Sequence, residues 1–320
     1  MTYIFSRRSP YRAAPAGRIV AEPSETRVVA ALVAVQVLFA GLAVASKTVL
    51  PHVGPLALAL CRLAAATVVL FALERALVRS KLPPWRDIAA FALFALLGVV
   101  LNQGLFLMGT ARTSATHAIL LIATIPAFTL LVAVALRQER TTPLKVAGLL
   151  VSFAGVALLV LGTQGGESSL VGDLLVAANS LSYSTYLVVS RPTLKRYDPL
   201  TLISWVFLLG VLEMAPFAAP QIAAADWAGM GGGSWVAFVY ILLGATVASY
   251  GLNTWVLRHA SASRVASFVY LQPLVGVALA VAIRGESFGV RAAAAALLIL
   301  AGVFVANRTA PSKRAAAPAE

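Results

Sequence analysis

The sequence predicts an all-α integral membrane protein: ten transmembrane helices arranged as two inverted repeats of five. Three observations lead there. Of the 320 residues, 60% are hydrophobic and only 12% are charged, against roughly 25% charged in a soluble domain. Apolar runs long enough to cross a bilayer recur along the chain, separated by Pro and Gly. The second half also repeats residues of the first at a constant spacing. With 25 Lys and Arg and 12 Asp and Glu, the chain has too little polar surface to cover a soluble fold of this size. That excludes a soluble enzyme, a nucleic-acid binder and a disordered chain.

A span needs about 20 mostly apolar residues. The first candidate, 27–48, follows a polar tail (1–26) carrying Arg7, Arg8, Arg12 and Arg18. Ala43-Val44-Ala45 has the look of a cleavage site, but the run is too long for a signal peptide and has a counterpart later in the chain. The second span, 54–73, begins between Pro51 and Pro55 and holds Arg62 and Cys61, whose solitary thiol allows no internal disulfide. The third, 86–110, starts after Pro83-Pro84. The fourth, 114–136, contains Pro126, and the fifth, 143–163, ends before Gly165-Gly166. These five make a first repeat, 27–163. The second repeat, 170–307, holds spans 170–190, 199–219, 235–257, 263–283 and 288–306, set off by Pro199, Pro220 and Gly231-Gly232-Gly233. A short polar tail, 308–320, follows.

The net charge of +13 is read through orientation. With the N-terminus inside, the inner segments hold 20 Lys and Arg and the outer turns 4 (Lys47, Arg112, Arg284 and Arg291). Basic residues collect on the cytoplasmic side, so both termini are expected in the cytoplasm of a multi-pass protein of the cell membrane. An odd number of spans would break the alternation.

An offset of 147 residues pairs Gly104-Leu105 with Gly251-Leu252, Ser114-Ala115 with Ser261-Ala262, Pro126 with Pro273, Glu139 with Glu286 and Gly155 with Gly302. Five helices per repeat is odd, so the halves run upside down to one another. Such inverted repeats mark alternating-access transporters, which bind near the midplane between the halves.

Polar residues inside spans locate the expected pathway. Arg62 lies mid-span, where an Arg costs roughly 2.5–3.5 kcal/mol on insertion scales. It is read first as a lock bonding helix carbonyls, and alternatively as a contact to an anionic substrate group. Gln36, Asn102, Gln103, Asn179, Tyr183, Tyr250, Asn253, Tyr270 and Gln272 complete the candidate substrate pathway. Neutral amides and phenols suit a polar or zwitterionic small molecule whose apolar part meets aromatic rings. Glu213 is the only acid well inside a span, and the candidate for proton coupling. The mid-helix prolines Pro126 and Pro273 each free a backbone carbonyl, which is tolerated only where protein or cavity water satisfies it. Glu139 and Glu286 are expected beside Arg140 and Arg284, ahead of helix starts at Thr142-Pro143 and Ser287. Gly148-x-x-x-Ser152 and Ala292-x-x-x-Ala296 are small-residue faces for close packing.

His52, His117 and His259 form no metal set. No phosphate-binding G-x-x-x-x-G-K-[ST] occurs, and no nucleophile–base pair lies at a common depth. No cofactor, metal, nucleic-acid partner or enzymatic activity is expected, and transport would draw on a gradient.

The motifs together resemble the drug/metabolite transporter superfamily, and its ten-helix EamA type in particular. They are the second-helix Arg in Ala59-Leu60-Cys61-Arg62-Leu63, the prolines in Ile125-Pro126-Ala127 and Gln272-Pro273-Leu274, and the acids in Gln138-Glu139-Arg140 and Gly285-Glu286. A small-residue fifth helix from Ala147-Gly148 to Gly155-Val156 follows the first acid. Leu101-Asn102-Gln103-Gly104 with Thr113-Ser114-Ala115-Thr116 also looks like plant relatives in the superfamily. The resemblance covers about 27–307. It departs at Phe39-Ala40-Gly41 in the first helix and at Val206, where symmetry with Arg62 would place an Arg. It implies a secondary transporter, more often an exporter, of a small polar or amphipathic metabolite such as an amino acid. A multidrug exporter and a non-transporting membrane scaffold or lipid-handling protein remain alternatives.

Overall fold

The computed structural model describes residues 24–139, 141–161, 168–259, 268–269 and 271–307, and among these it is helical throughout, with no strand. The helices are α1 (Glu25–Val53), α2 (Pro55–Leu77), α3 (Trp85–Ala95), α4 (Asn102–Thr110), α5 (Ala115–Ile122), α6 (Ile125–Ala135), α7 (Pro143–Val160), α8 (Leu170–Ser190), α9 (Pro199–Ala223), α10 (Gly232–Val239), α11 (Ser249–His259), α12 (Leu271–Arg284) and α13 (Val290–Asn307). Leu96–Leu101 joins α3 to α4 as a π-helix, and Tyr240–Ala248 joins α10 to α11 in the same way.

Among the described residues, seven helical stretches are long and apolar enough to cross a membrane: Glu25–Val53, Pro55–Leu77, Trp85–Thr110, Ala115–Ala135, Pro143–Val160, Pro199–Ala223 and Gly232–Asn253. Leu271–Arg284 and Val290–Ala306 are shorter and apolar. The 21-residue α8 is less apolar because it carries Asp173, Asn179, Ser180, Ser182 and Ser184, all buried. The chain is a multi-pass membrane protein.

The helix breaks differ from the proline positions in two places. α1 runs through Pro51, and the chain turns at Gly54, whose φ of +79° suits a residue without a Cβ. Pro55 then opens α2, where its missing N–H is no loss. Gln221 of α9 accepts the N–H of Leu56 at 2.8 Å, satisfying a donor that a helix start leaves unpaired. α9 likewise continues through Pro216 and Pro220 to Ala223.

The fourth predicted span breaks at 123–124, ahead of Pro126 in the first turn of α6. The carbonyls around this break find donors on α8: Ser180 Oγ donates to Leu121 O at 3.2 Å and Ser184 Oγ to Ile125 O at 2.9 Å. Two serines four residues apart share a helix face and complete the backbone bonding that hydrocarbon could not.

α7 and α13 pack with backbones almost touching. A Cβ added at Gly155 would lie 2.8 Å from the N of Ile299, and one at Gly302 would lie 2.6 Å from the O of Gly148. The face on α13 is Ala295, Ile299, Gly302 and Ala306, all buried. The expected Ala292 and Ala296 are only half-buried. Geometry rather than a four-residue motif selects the face, since 295, 299, 302 and 306 follow the 3.6-residue helical period.

Carboxylate clusters tie each end of the bundle. At the basic end, Asp87 accepts from Arg196 Nη2 at 2.7 Å and from the Tyr197 hydroxyl. Glu74 accepts from Ser80 and, at 3.4 Å, from Thr201. Glu139 pairs with Lys145 at 3.0 Å and with Arg191 at 3.4 Å. The expected partner, Arg140, lies outside the described residues. Hydrogen bonding from Lys145 holds the Glu139 carboxyl below the usual carboxylate range, against a smaller opposing effect of burial; the charges of Lys145 and Arg191 assist.

At the opposite end, Glu286 lies 3.9 Å from Arg284 but caps a different helix from the one expected. Its two oxygens accept the N–H groups of Ala115 and Thr116 at 2.9 Å each, at the start of α5. Ser287 starts no helix, because α13 begins at Val290. Beside the Glu286 contact, Asp173 is fully buried and accepts from Thr113 Oγ1, with His117 Nδ1 at 2.9 Å.

Candidate functional site: a polar cavity between the helices

Both π-helices matter to the bundle centre. A π turn inserts an extra residue and rotates everything after it. The first delivers Asn102 and Gln103 at the head of α4, and the second contains Thr246 and delivers Ser249 and Tyr250 at the head of α11. Shifted by the 147-residue offset, 96–101 falls on 243–248, inside the second π segment. Close approach is built in around them. Gly98 leaves room for the Tyr186 ring, and Gly41 on α1 leaves room for Tyr240, whose hydroxyl donates to Leu38 O at 2.8 Å. Phe39-Ala40-Gly41, where the first helix departs from the family pattern, thus serves this contact and the cavity wall.

A cavity of about 340 Å³ occupies the centre. Of the ten pathway residues expected from sequence, nine line it: Gln36, Arg62, Asn102, Gln103, Asn179, Tyr183, Tyr250, Asn253 and Gln272. Tyr270 lies outside the described residues. Glu213, half-buried on α9, is not part of the lining. Sequence reasoning missed the apolar wall, formed by Val35, Phe39, Leu42, Phe106, Ile119 and Ile122 among others. These residues carry no signal that sets them apart from lipid-facing aliphatics.

The polar side is internally bonded. Asn102 Nδ2 donates to Asn179 Oδ1 at 2.5 Å, linking α4 to α8. Arg62, 2% exposed, donates through Nη1 to Gln103 Oε1 and through Nε to Thr246 Oγ1 at 3.1 Å. Its acceptors are side-chain oxygens on two other helical segments, not the helix carbonyls expected. Thr246 was not foreseen, because a lone threonine in an apolar run reads as filler. Phe39 and Phe207 meet the ring of Tyr250 edge-on at 5.8 and 5.1 Å, and Tyr183 lies 5.8 Å from Tyr186.

Pro273 faces elsewhere. It lines a second recess of about 510 Å³ with Leu274, Val277, Val281 and Phe288. Every lining residue there is apolar and Leu274 is 62% exposed, which suits hydrocarbon and gives a polar solute nothing to bind. The smaller cavity is the one whose described lining includes polar and charged side chains. Gln272 reaches it from beside Pro273, and Ile122 and Ile125 reach it from the break before Pro126.

A multi-pass helical bundle enclosing a small polar cavity is the build of a membrane transporter. The chain matches the EamA-like transporter family twice, over 26–161 and 170–308, and belongs to it. It is 26% identical to an uncharacterized transporter of Archaeoglobus fulgidus over 87% of this chain and 98% of that one. It is 29% identical to a probable terminal-alkyne amino-acid exporter of Streptantibioticus cattleyicolor, over 90% and 96% of the two chains. It is 26% identical to the protein WALLS ARE THIN 1 of Arabidopsis thaliana over 67% and 64%. A crystal structure sharing the fold superposes with a TM-score of 0.59 at 22% identity, over 89% of this chain and 98% of that one.

Proposed function

We propose that this transporter is a secondary carrier, working as an exporter, for a small polar or amphipathic metabolite such as an amino acid. Two inverted five-helix halves, 27–163 and 170–307, would alternate in opening one central site to either side of the cell membrane, with both termini cytoplasmic. One observation carries the reading: a cavity lined by amides, phenols and a guanidinium together with aliphatic and aromatic side chains, supplied by helices of both halves. The recurrence of a π-helix at matching places, and of the family match in each half, supports the repeat. The name of the Streptantibioticus relative supports amino-acid-like cargo and export. A volume of about 340 Å³ sits at the low end of small-molecule pockets, roughly 300–1,000 Å³, which favours a metabolite over a bulky drug. Glu213 stays the candidate for proton coupling, with Oε2 buried and lacking a hydrogen-bond partner among the described residues.

Counterflow of radiolabelled amino acids in proteoliposomes tests the reading: preloaded unlabelled substrate should accelerate labelled entry, and Glu213→Gln should abolish acceleration by a proton gradient. No flux of any small polar metabolite would overturn it. Reporter fusions after Arg140 and Arg314 reading cytoplasmic, with one after Glu167 reading external, would establish the orientation.

A further inference from the structure

We infer that Arg62 is an anion subsite, and that the substrate is a small molecule carrying a carboxylate at its polar end. The inference rests on the transport reading above and narrows it to a substrate class.

The charge balance of the cavity carries it. Among the eighteen described lining residues Arg62 supplies the only formal charge, and no Asp or Glu is among them. Among the described residues, no carboxylate forms an ion pair with Arg62. Its two acceptors, Gln103 Oε1 and Thr246 Oγ1, are neutral. They orient the guanidinium without neutralising it. Thr246 is itself committed, because its hydroxyl proton goes to Ile241 O at 2.7 Å, which leaves its lone pairs for Arg62. A guanidinium has five N–H donors. Two are used here, one on Nε and one on Nη1, which leaves three N–H donors, both of those on Nη2 among them, with no hydrogen-bond partner among the described residues. A charge taken out of water and left unpaired is strongly unfavourable, and a hydrogen-bonded counter-ion offsets that. The planar fork of Arg matches a carboxylate edge, and charge-assisted pairing of this kind is about twice as strong as neutral hydrogen bonding.

The rest of the cavity sets the other end of the ligand. Val35, Phe39, Leu42, Phe106 and Ile119 form an apolar wall suited to an aliphatic or aromatic tail. An amino group would meet only neutral acceptors such as Asn102, Gln36 and Gln272, so it is tolerated rather than required. A cation without a carboxylate meets Arg62 with like charge and no compensation, which selects against the cationic drugs of a multidrug exporter.

The test varies the ligand first, so that no mutant need fold. Purified wild-type protein is assayed by thermal shift and by proteoliposome flux against the apolar amino acids, their primary amides and the matching deaminated acids. Amino acids and deaminated acids should bind, and the amides should bind about tenfold or more weakly. Arg62→Gln should weaken the acids by a similar factor while leaving the amides unchanged. Arg62→Lys, which keeps the charge but not the fork, should fall between. Amides binding and moving as well as the acids would overturn the anion subsite while leaving transport standing. So would a folded Arg62→Gln protein that keeps wild-type affinity for the acids. Flux of none of the three sets would overturn the transport reading itself.

Discussion

Glu286 and Thr116 lie 170 residues apart, yet one carboxylate oxygen of the first accepts the backbone N–H of the second at 2.9 Å. The other oxygen takes the N–H of Ala115. A helix start leaves its first donors unpaired and carries partial positive charge, so an acid from the second half of the chain closes the end of the bundle opposite the basic clusters. Removing a side-chain cap costs about 0.5–2 kcal/mol. Glu286→Ala should therefore lower stability by roughly that amount, and Glu286→Gln, which keeps one acceptor oxygen but no charge, by less. Chemical or thermal unfolding in detergent checks both; equal losses would show that a neutral acceptor recovers nothing, and a Gln variant as stable as the wild type would show that charge contributes nothing.

Asp173 joins the same end. It is fully buried, and it holds Thr113 and His117 together from α8. Asp173→Ala would leave these groups unsatisfied, at about 1–3 kcal/mol for a buried polar group that loses its partner. Asp173→Asn, which can still bond one of them, should recover part of the loss. Folded yield by size-exclusion chromatography and unfolding midpoints give the measure.

At the basic end, acid should loosen the Glu139 cluster. Its carboxyl is held below the ordinary Glu value, first by the hydrogen bond from Lys145. A carboxyl depressed in the folded state contributes stability that is fully present above its unfolded value, near 4.3, and is lost as pH falls through the folded value. Unfolding measured from pH 7 downward should show this acid-side loss in the wild type. It should be absent in Glu139→Gln and reduced in Lys145→Met.

Water should reach the polar cavity and not the outer faces of α7 and α13. In a Cys61→Ala background, single cysteines at Gln103, Asn179 and Gln272 should react with a membrane-impermeant thiol reagent, and substrate should protect them. Cysteines at Leu150, which is 67% exposed on the bundle surface, and at Leu298 should resist, because hydrocarbon excludes a charged reagent. Equal labelling of the two sets would remove these residues from the pathway.

Much of this arrangement was legible from composition and pattern. A membrane-buried polar side chain must face protein or water, so Gln36, Arg62, Asn102, Gln103, Asn179, Tyr183, Tyr250, Asn253 and Gln272 could be gathered before any helix was placed. Their common cavity follows from that rule applied nine times. Apolar length located seven of the membrane-crossing stretches, and the repeated Gly, Pro and Glu are the ground on which two inverted halves are proposed.

Tertiary structure decided what each polar group touches. Sequence periodicity describes one helix at a time, whereas the partners of these groups sit 41 to 184 residues away and are chosen by packing. That is why Thr246 emerged as the acceptor that orients Arg62, and why Glu286 caps α5 rather than the helix that follows it. It is also why Ser180 and Ser184 complete the backbone beside Pro126. The π turns at 96–101 and 240–248 have no residue signature of their own. They form where neighbouring helices reward the added rotation, and that rotation turns a row of polar residues into a site.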